Sequence, residues 1–148
     1  EHAGQGQVVT VNETPLLPEQ RTHACIPCED CGNCSCQYMK GLCQECYAIR
    51  SARDDARRDI ARWQQQVDEG KTYAIGTGGS RLHRWDCKLL NNVDKSQSML
   101  EAGVEALRRG EGGAYMYWPR LPALYTAEEL RLKGVKKRNC AICGPDPL

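Results

Sequence analysis

Cysteine is the residue this chain concentrates, and its spacing limits the chemistry it can do. The stretch CIPCEDCGNCSC, residues 25–36, holds five cysteines in twelve positions, and ten occur in the 148-residue chain. Cys25, Cys28, Cys31 and Cys34 recur at every third residue. Disulfides among such near neighbours would close almost no loop, so a secreted disulfide framework fits poorly. The bacterial iron–sulfur run C-x2-C-x2-C-x3-C-P also fits in neither register. Counted from Cys25 its fourth ligand falls on Ser35, and counted from Cys28 on Tyr38. Zinc fits: it takes four nitrogen or sulfur ligands in a tetrahedron, and a CxxC turn supplies two of them with little strain.

His23 with Cys25, Cys28, Cys31, Cys34, Cys36, Cys43 and Cys46 makes eight ligands, enough for two ions. Spacing leaves open how they divide between sites and whether His23 belongs; without it, one thiolate bridges two ions or one cysteine stays free. The second half carries a separate set, His83-x3-Cys87 with Cys140-x2-Cys143. The expectation is about three zinc ions per chain. A catalytic zinc keeps a position open for water, whereas a set of three cysteines and one histidine is closed. The chain has neither an HExxH nor an HxE…PCxxC pattern. With His83 committed to metal, serine or cysteine nucleophile arrangements lack a plausible histidine to activate them. The zinc is therefore expected to be structural and the protein not an enzyme.

Composition says why metal is needed. Aromatic residues make up 6% of the chain and Phe is absent, and small domains short of core material rely on disulfides or metal. The formal charge is +1, but ten bound thiolates against three divalent ions would turn the balance negative. Any nucleic-acid binding must then use local basic patches. No run of 18 apolar residues occurs, so no membrane span is expected. The opening EHAGQGQVVTV lacks the layout of a signal peptide, and the expected compartment is the cytoplasm, the host's if the chain is phage-encoded. Asn12-Glu13-Thr14 matches a glycosylation acceptor, a pattern that often arises by chance.

The elements that must position these ligands give an α+β class: small zinc-stabilised modules of short hairpins and amphipathic helices. Residues 1–24 read as an extended arm with a strand candidate, QVVTV, followed by a proline-broken stretch. Residues 25–70 form a Cys-rich module ending in a helix from Ala48 to Val67. Ala52, Ala56, Ile60, Trp63 and Val67 make its apolar stripe, and Gly70 is its stop signal. Asp54, Arg58, Asp55, Asp59 and Arg62 lie at helical pairing distances on its other faces, where they read as a salt-laced surface. Arg50, Arg53 and Arg57 share one flank and are available to phosphate. Residues 71–148 form a domain around the one-histidine, three-cysteine set. It opens with a hairpin around GTGG, which lacks the ending of a P-loop. A helix over 97–109, a strand in AYMYW, and a short helix in TAEELRLKG follow. The last carries a capping box, Thr126 with Glu129, and closes at Gly134.

Two family resemblances follow from these patterns. Cys43 and Cys46 directly before a helix, opposite an earlier knuckle (Cys28 and Cys31, or Cys31 and Cys34), resemble a treble-clef zinc finger. Over about residues 72–148, the stretch YAIGTGGSRLHRWDC…YTAEELRLKGVKKRNCAICGP is similar to another module, with an insertion around 92–118. It resembles the small metal-binding domain at the N-terminus of the Ada alkylation-repair protein. The resemblance implies a hairpin, a ligand-x3-Cys pair, a helix, a short helix ending in Gly and a terminal CxxC. In the Ada protein the first ligand is a cysteine that accepts a methyl group from a DNA phosphotriester. The matching position here is His83, so the resemblance implies the zinc-held fold without that activity.

For function, the leading expectation is a non-enzymatic module that binds nucleic acid or a protein of the nucleic-acid machinery. Lys133, Lys136, Lys137 and Arg138, with Arg131, gather before the terminal CxxC, where they would either contact phosphate or offset thiolate charge. The alternative is a protein-interaction or virion-assembly component, docking through the arm and through Tyr115, Tyr117, Trp118 and Tyr125, which would otherwise complete the core. The Cys- and Arg-rich style is similar to small proteins of actinobacteria and their phages.

Overall fold

The computed structural model describes residues 27–32, 39–76, 79, 81–111 and 116–148. The N-terminal arm, with its strand candidate and Asn12, lies outside the described residues. The chain divides into two compact units, residues 1–48 and residues 49–148. The elements are α1 (Gln44–Asp68), β1 (Tyr73–Ile75), β2 (Arg81–Arg84), α2 (Val93–Arg108), β3 (Leu124–Tyr125), α3 (Ala127–Leu132) and β4 (Arg138–Asn139). Helices and a small mixed sheet make this an α+β protein.

In the first unit, Cys28, Leu42 and Cys46 are buried together, with Cys43 and Tyr47 packed against them. A tight turn joins Met39 to Leu42, which exchange backbone hydrogen bonds of 3.3 and 3.0 Å. Its central residues, Lys40 and Gly41, have φ of 54° and 78°, the twist that two-residue hairpin turns require.

The second unit has its main core where α1 meets α2 and the segment after it. Ile49, Ala52, Ala56, Leu100, Val104, Trp118 and Leu121 are buried there, with Ile60 and Trp63 packed at the margin. The expected stripe is thus present and begins at Ile49, while Val67 packs under the sheet instead. The helix ends as its sequence implies: Gly70, at φ 78°, donates to Val67 O at 3.0 Å, and Lys71 donates to Gln66 O at 3.1 Å. This closure uses the last carbonyls of the helix.

The expected salt-laced surface is present at Asp54 with Arg57 and at Asp55 with Arg58, but Asp59 is not part of it. The Asp59 side chain is 1% exposed. One carboxylate oxygen accepts from the Trp118 indole N–H at 2.9 Å and from the Leu121 N–H at 2.7 Å; the other accepts from Arg62 at 2.5 Å. Arg62 continues to the carbonyls of Leu121 and Pro122, both at 2.9 Å. Burial alone would raise this carboxyl's pKa, but the Leu121 N–H, Arg62 and Trp118 outweigh it and hold it below the usual carboxylate range. One ionised side chain thereby ties residues 118–122 to α1.

That tie also explains a second difference. The sequence predicts a strand in AYMYW, yet residues 116–118 are not in a strand. Residues 114 and 115 lie outside the described residues. Trp118 is drawn into the helical core, and pairing resumes only at β3. The helix α2 starts at Val93, earlier than the expected 97, because Asn92 caps it by accepting from the Lys95 N–H at 2.9 Å.

The sheet runs β3-β1-β2-β4. β1 is antiparallel to β2, with Ala74 opposite His83, and to β3, with Tyr73 opposite Tyr125. β4 lies parallel to β2, pairing Arg81 with Arg138 and Leu82 with Asn139. On one side Tyr73, Leu82 and Leu130 are buried together. A second cluster joins Ala74, Cys87, Leu90, Leu124 and Cys140, with Trp63, Trp85 and Cys143 against it.

Candidate metal centres

Two groups of side chains converge with four ligand atoms each: Cys28, Cys31, Cys43 and Cys46 in the first unit, and His83, Cys87, Cys140 and Cys143 in the second. Within each group the ligand atoms all lie within 4.8 Å of one another. A tetrahedron with metal–sulfur bonds of about 2.3 Å has edges of about 3.8 Å. Cys87 Sγ and Cys140 Sγ stand 4.0 Å apart. The described cysteines are all free thiols, so close approach here is not disulfide bonding.

In the first centre, the Gly32 N–H closes a turn onto Cys28 O at 2.8 Å, which presents Cys28 and Cys31 on one loop. The turn at residues 39–42 delivers Cys43 to the position before α1, and Cys46 lies in its first turn. The Cys46 N–H donates to Cys43 Sγ at 3.5 Å, so a sulfur takes the role that a capping oxygen plays elsewhere. The helix N-terminus favours negative charge there. The N–H groups of Cys31 and Cys43 pull the Cys28 thiol down to about 6, while burial and the neighbouring thiols push Cys46 up. Four thiols this close cannot all ionise against one another; a divalent cation among them removes that conflict. Of the two knuckles open in the sequence, Cys28–Cys31 faces Cys43–Cys46. His23, Cys25, Cys34 and Cys36 lie outside the described residues.

In the second centre the sheet is the scaffold. Leu82 and His83 are both buried on β2 although neighbours, because Leu82 packs beneath α3 while His83 turns to the cysteines. Cys87 follows in a turn closed by its own N–H on Arg84 O at 3.1 Å. Cys140 extends the β4 ladder, its N–H donating to Leu82 O at 2.8 Å, and Gly144 closes the final turn onto Cys140 O at 2.9 Å. Backbone N–H groups support the sulfurs: Arg84 donates to Cys143 at 3.2 Å and Ile142 to Cys140 at 3.4 Å.

The imidazole supplies a direct test of fit. His83 is 7% exposed, and its Nδ1 is buried without a hydrogen-bond partner among the described residues. A buried polar nitrogen left so carries a desolvation cost, and a metal ion is the partner its surroundings offer. Burial lowers the His83 pKa, favouring the neutral, ligating form. Burial likewise pushes Cys143 up to about 11, whereas the Cys143 N–H leads in lowering Cys140. Gly76 packs against the other side of the ring: a Cβ there would stand 3.0 Å from His83 Nε2. Both four-ligand groups are thus compatible with metal and with zinc-finger-like modules.

The basic residues are treated unequally. Arg53 forks onto Glu101 at 2.8 and 3.1 Å, Arg57 pairs with Asp54, and Arg50 is also engaged. Lys133 sits 5.0 Å over the Tyr125 ring, and Lys137 donates to Gly79 O. Lys136 and Arg138 are exposed, with no ion pair among the described residues. Two features escaped the sequence, Asp59 and Gly76. Asp59 had a signal, since it lies three residues after Ala56 on the buried arc; Gly76 had none beyond its place in a turn. No helix of the described residues is long and apolar enough to cross a membrane. No family model, curated protein or solved structure matches the chain.

Proposed function

We propose that this chain is a zinc-stabilised, non-enzymatic module that binds nucleic acid or a protein of the nucleic-acid machinery, as a small regulator of phage or actinobacterial type would. Sulfur-rich, four-coordinate donor groups suit zinc, and closed coordination suits a structural role. The Ada-type resemblance supports the same reading of the second unit, with His83 where that family's reactive thiol stands. Thiolate ligands must stay reduced, which favours the cytoplasm.

The observation that carries the nucleic-acid reading is the run Lys136–Arg138 beside Cys140: among the described residues, Lys136 and Arg138 lack carboxylate partners, whereas Arg53 and Arg57 on α1 have theirs. The test is a gel-shift series with duplex and single-stranded oligonucleotides. Binding is expected at low salt, falling steeply as salt rises; absence of binding at low salt refutes it. A protein-docking reading is favoured by Leu132, 81% exposed, and Ile142, 59% exposed, on the same stretch of chain. Binding through those side chains would be nearly indifferent to salt.

A further inference from the structure

We propose that Arg81 and Arg138 together form the phosphate seat of the second unit, with Lys136 and Lys137 beside it. The inference rests on the nucleic-acid reading above and deepens it by naming the contact. Arg81 opens β2 and Arg138 opens β4, and the parallel register sets them side by side. Adjacent strands lie about 4.8 Å apart, and side chains paired in register project from the same face. Two guanidinium groups therefore rise together from one edge of the sheet.

Like charges placed directly opposite destabilise a sheet. Several other basic residues of this unit have carboxylate partners: Arg53 has Glu101, Arg62 has Asp59, Lys71 has Glu129, Arg84 has Asp86 and Arg109 has Glu111. Arg81 and Arg138 are both exposed and have no ion pair among the described residues. Lys137 reinforces the site, since its ammonium bonds Gly79 O in the β1–β2 turn and retains two further donors. A backbone phosphate fits the gap left by the missing carboxylate: each guanidinium can fork over two of its oxygens, and the repulsion becomes shared attraction. No base edge is read, so the contact is independent of sequence.

The test uses the full chain and fluorescence anisotropy with labelled duplex and single-stranded oligonucleotides across a salt series. The Arg81→Gln/Arg138→Gln variant is expected to lose about tenfold in affinity at low salt, and its slope of log affinity against log salt should fall by about 1. Arg53→Gln, with its carboxylate partner at Glu101, should bind as the parent does. The Arg81→Lys/Arg138→Lys variant keeps both charges; it should keep the slope while losing affinity with the fork, and it serves should the glutamine variant misfold. If the parent binds and both double variants match it in affinity and slope, this inference alone is wrong. If the parent binds no oligonucleotide, the function proposed above is wrong and this contact with it.

Discussion

His83 is the residue on which the second centre turns, because its buried Nδ1 has no hydrogen-bond partner among the described residues. His83→Gln should release one metal ion per chain, read by elemental analysis, while the first centre keeps its own. Gly76→Ala should weaken metal retention in the second centre, read as a lower midpoint in chelator titration, because the new methyl would stand only 3.0 Å from His83 Nε2 and press on the ring. Unchanged retention would show that the ring has slack. Asp59 belongs to stability. Asp59→Ala strands the Arg62 charge and two buried donors, an expected cost of about 3 kcal/mol or more in chemical denaturation. The folded-state carboxyl is held below its usual range, so its contribution is present above the unfolded value of about 4 and is lost as pH falls through the lower folded value. The stability gap between parent and Asp59→Asn should therefore narrow only below about pH 4. The ligands are legible because CxxC and H-x3-C spacings state their chemistry. Asp59 is not, because carboxylates at helical spacing from arginines also describe a solvated face.

Helix ends are readable where local side chains determine them. The capping box of α3 is formed as its sequence implies: Glu129 N–H donates to Thr126 Oγ1 at 3.1 Å, and Thr126 N–H donates to Glu129 Oε1 at 2.8 Å. Thr126→Ala should cost about 1 kcal/mol, read as a lower melting temperature; no shift would mean that packing of Leu130 alone holds this six-residue helix. The start of α2 escapes the pattern because its cap, Asn92, precedes the apolar period that begins at Leu100. The segment 116–118 misleads because alternation of aromatic residues signals a strand, whereas Trp118 is claimed by a carboxylate 59 residues away. Long-range demands of that kind leave no mark in a local window.

At the scale of the molecule, the absence of Phe and the scarcity of aromatics are offset by placing ligands inside the apolar clusters. Cys28 and Cys46 line the small core of the first unit, and Cys87 and Cys140 that of the sheet. A four-stranded sheet whose β3 and β4 have two residues each has little cohesion of its own, so a metal in the ligand group would add substantially to the hydrogen bonds, such as Tyr73 Oη–H to Asp146 O at 3.0 Å, that hold the terminal segment. Chelation should accordingly unfold the sheet before the helical core of α1 and α2, read as early loss of tryptophan signal from Trp85 ahead of helical circular dichroism. Native mass spectrometry of the full chain, before and after chelation, reads the metal count directly. At least two zinc ions per chain are expected, one for each four-ligand group, with a third supplied by the remaining N-terminal ligands. A metal-free chain with its thiols paired as disulfides, or one carrying iron, would contradict it.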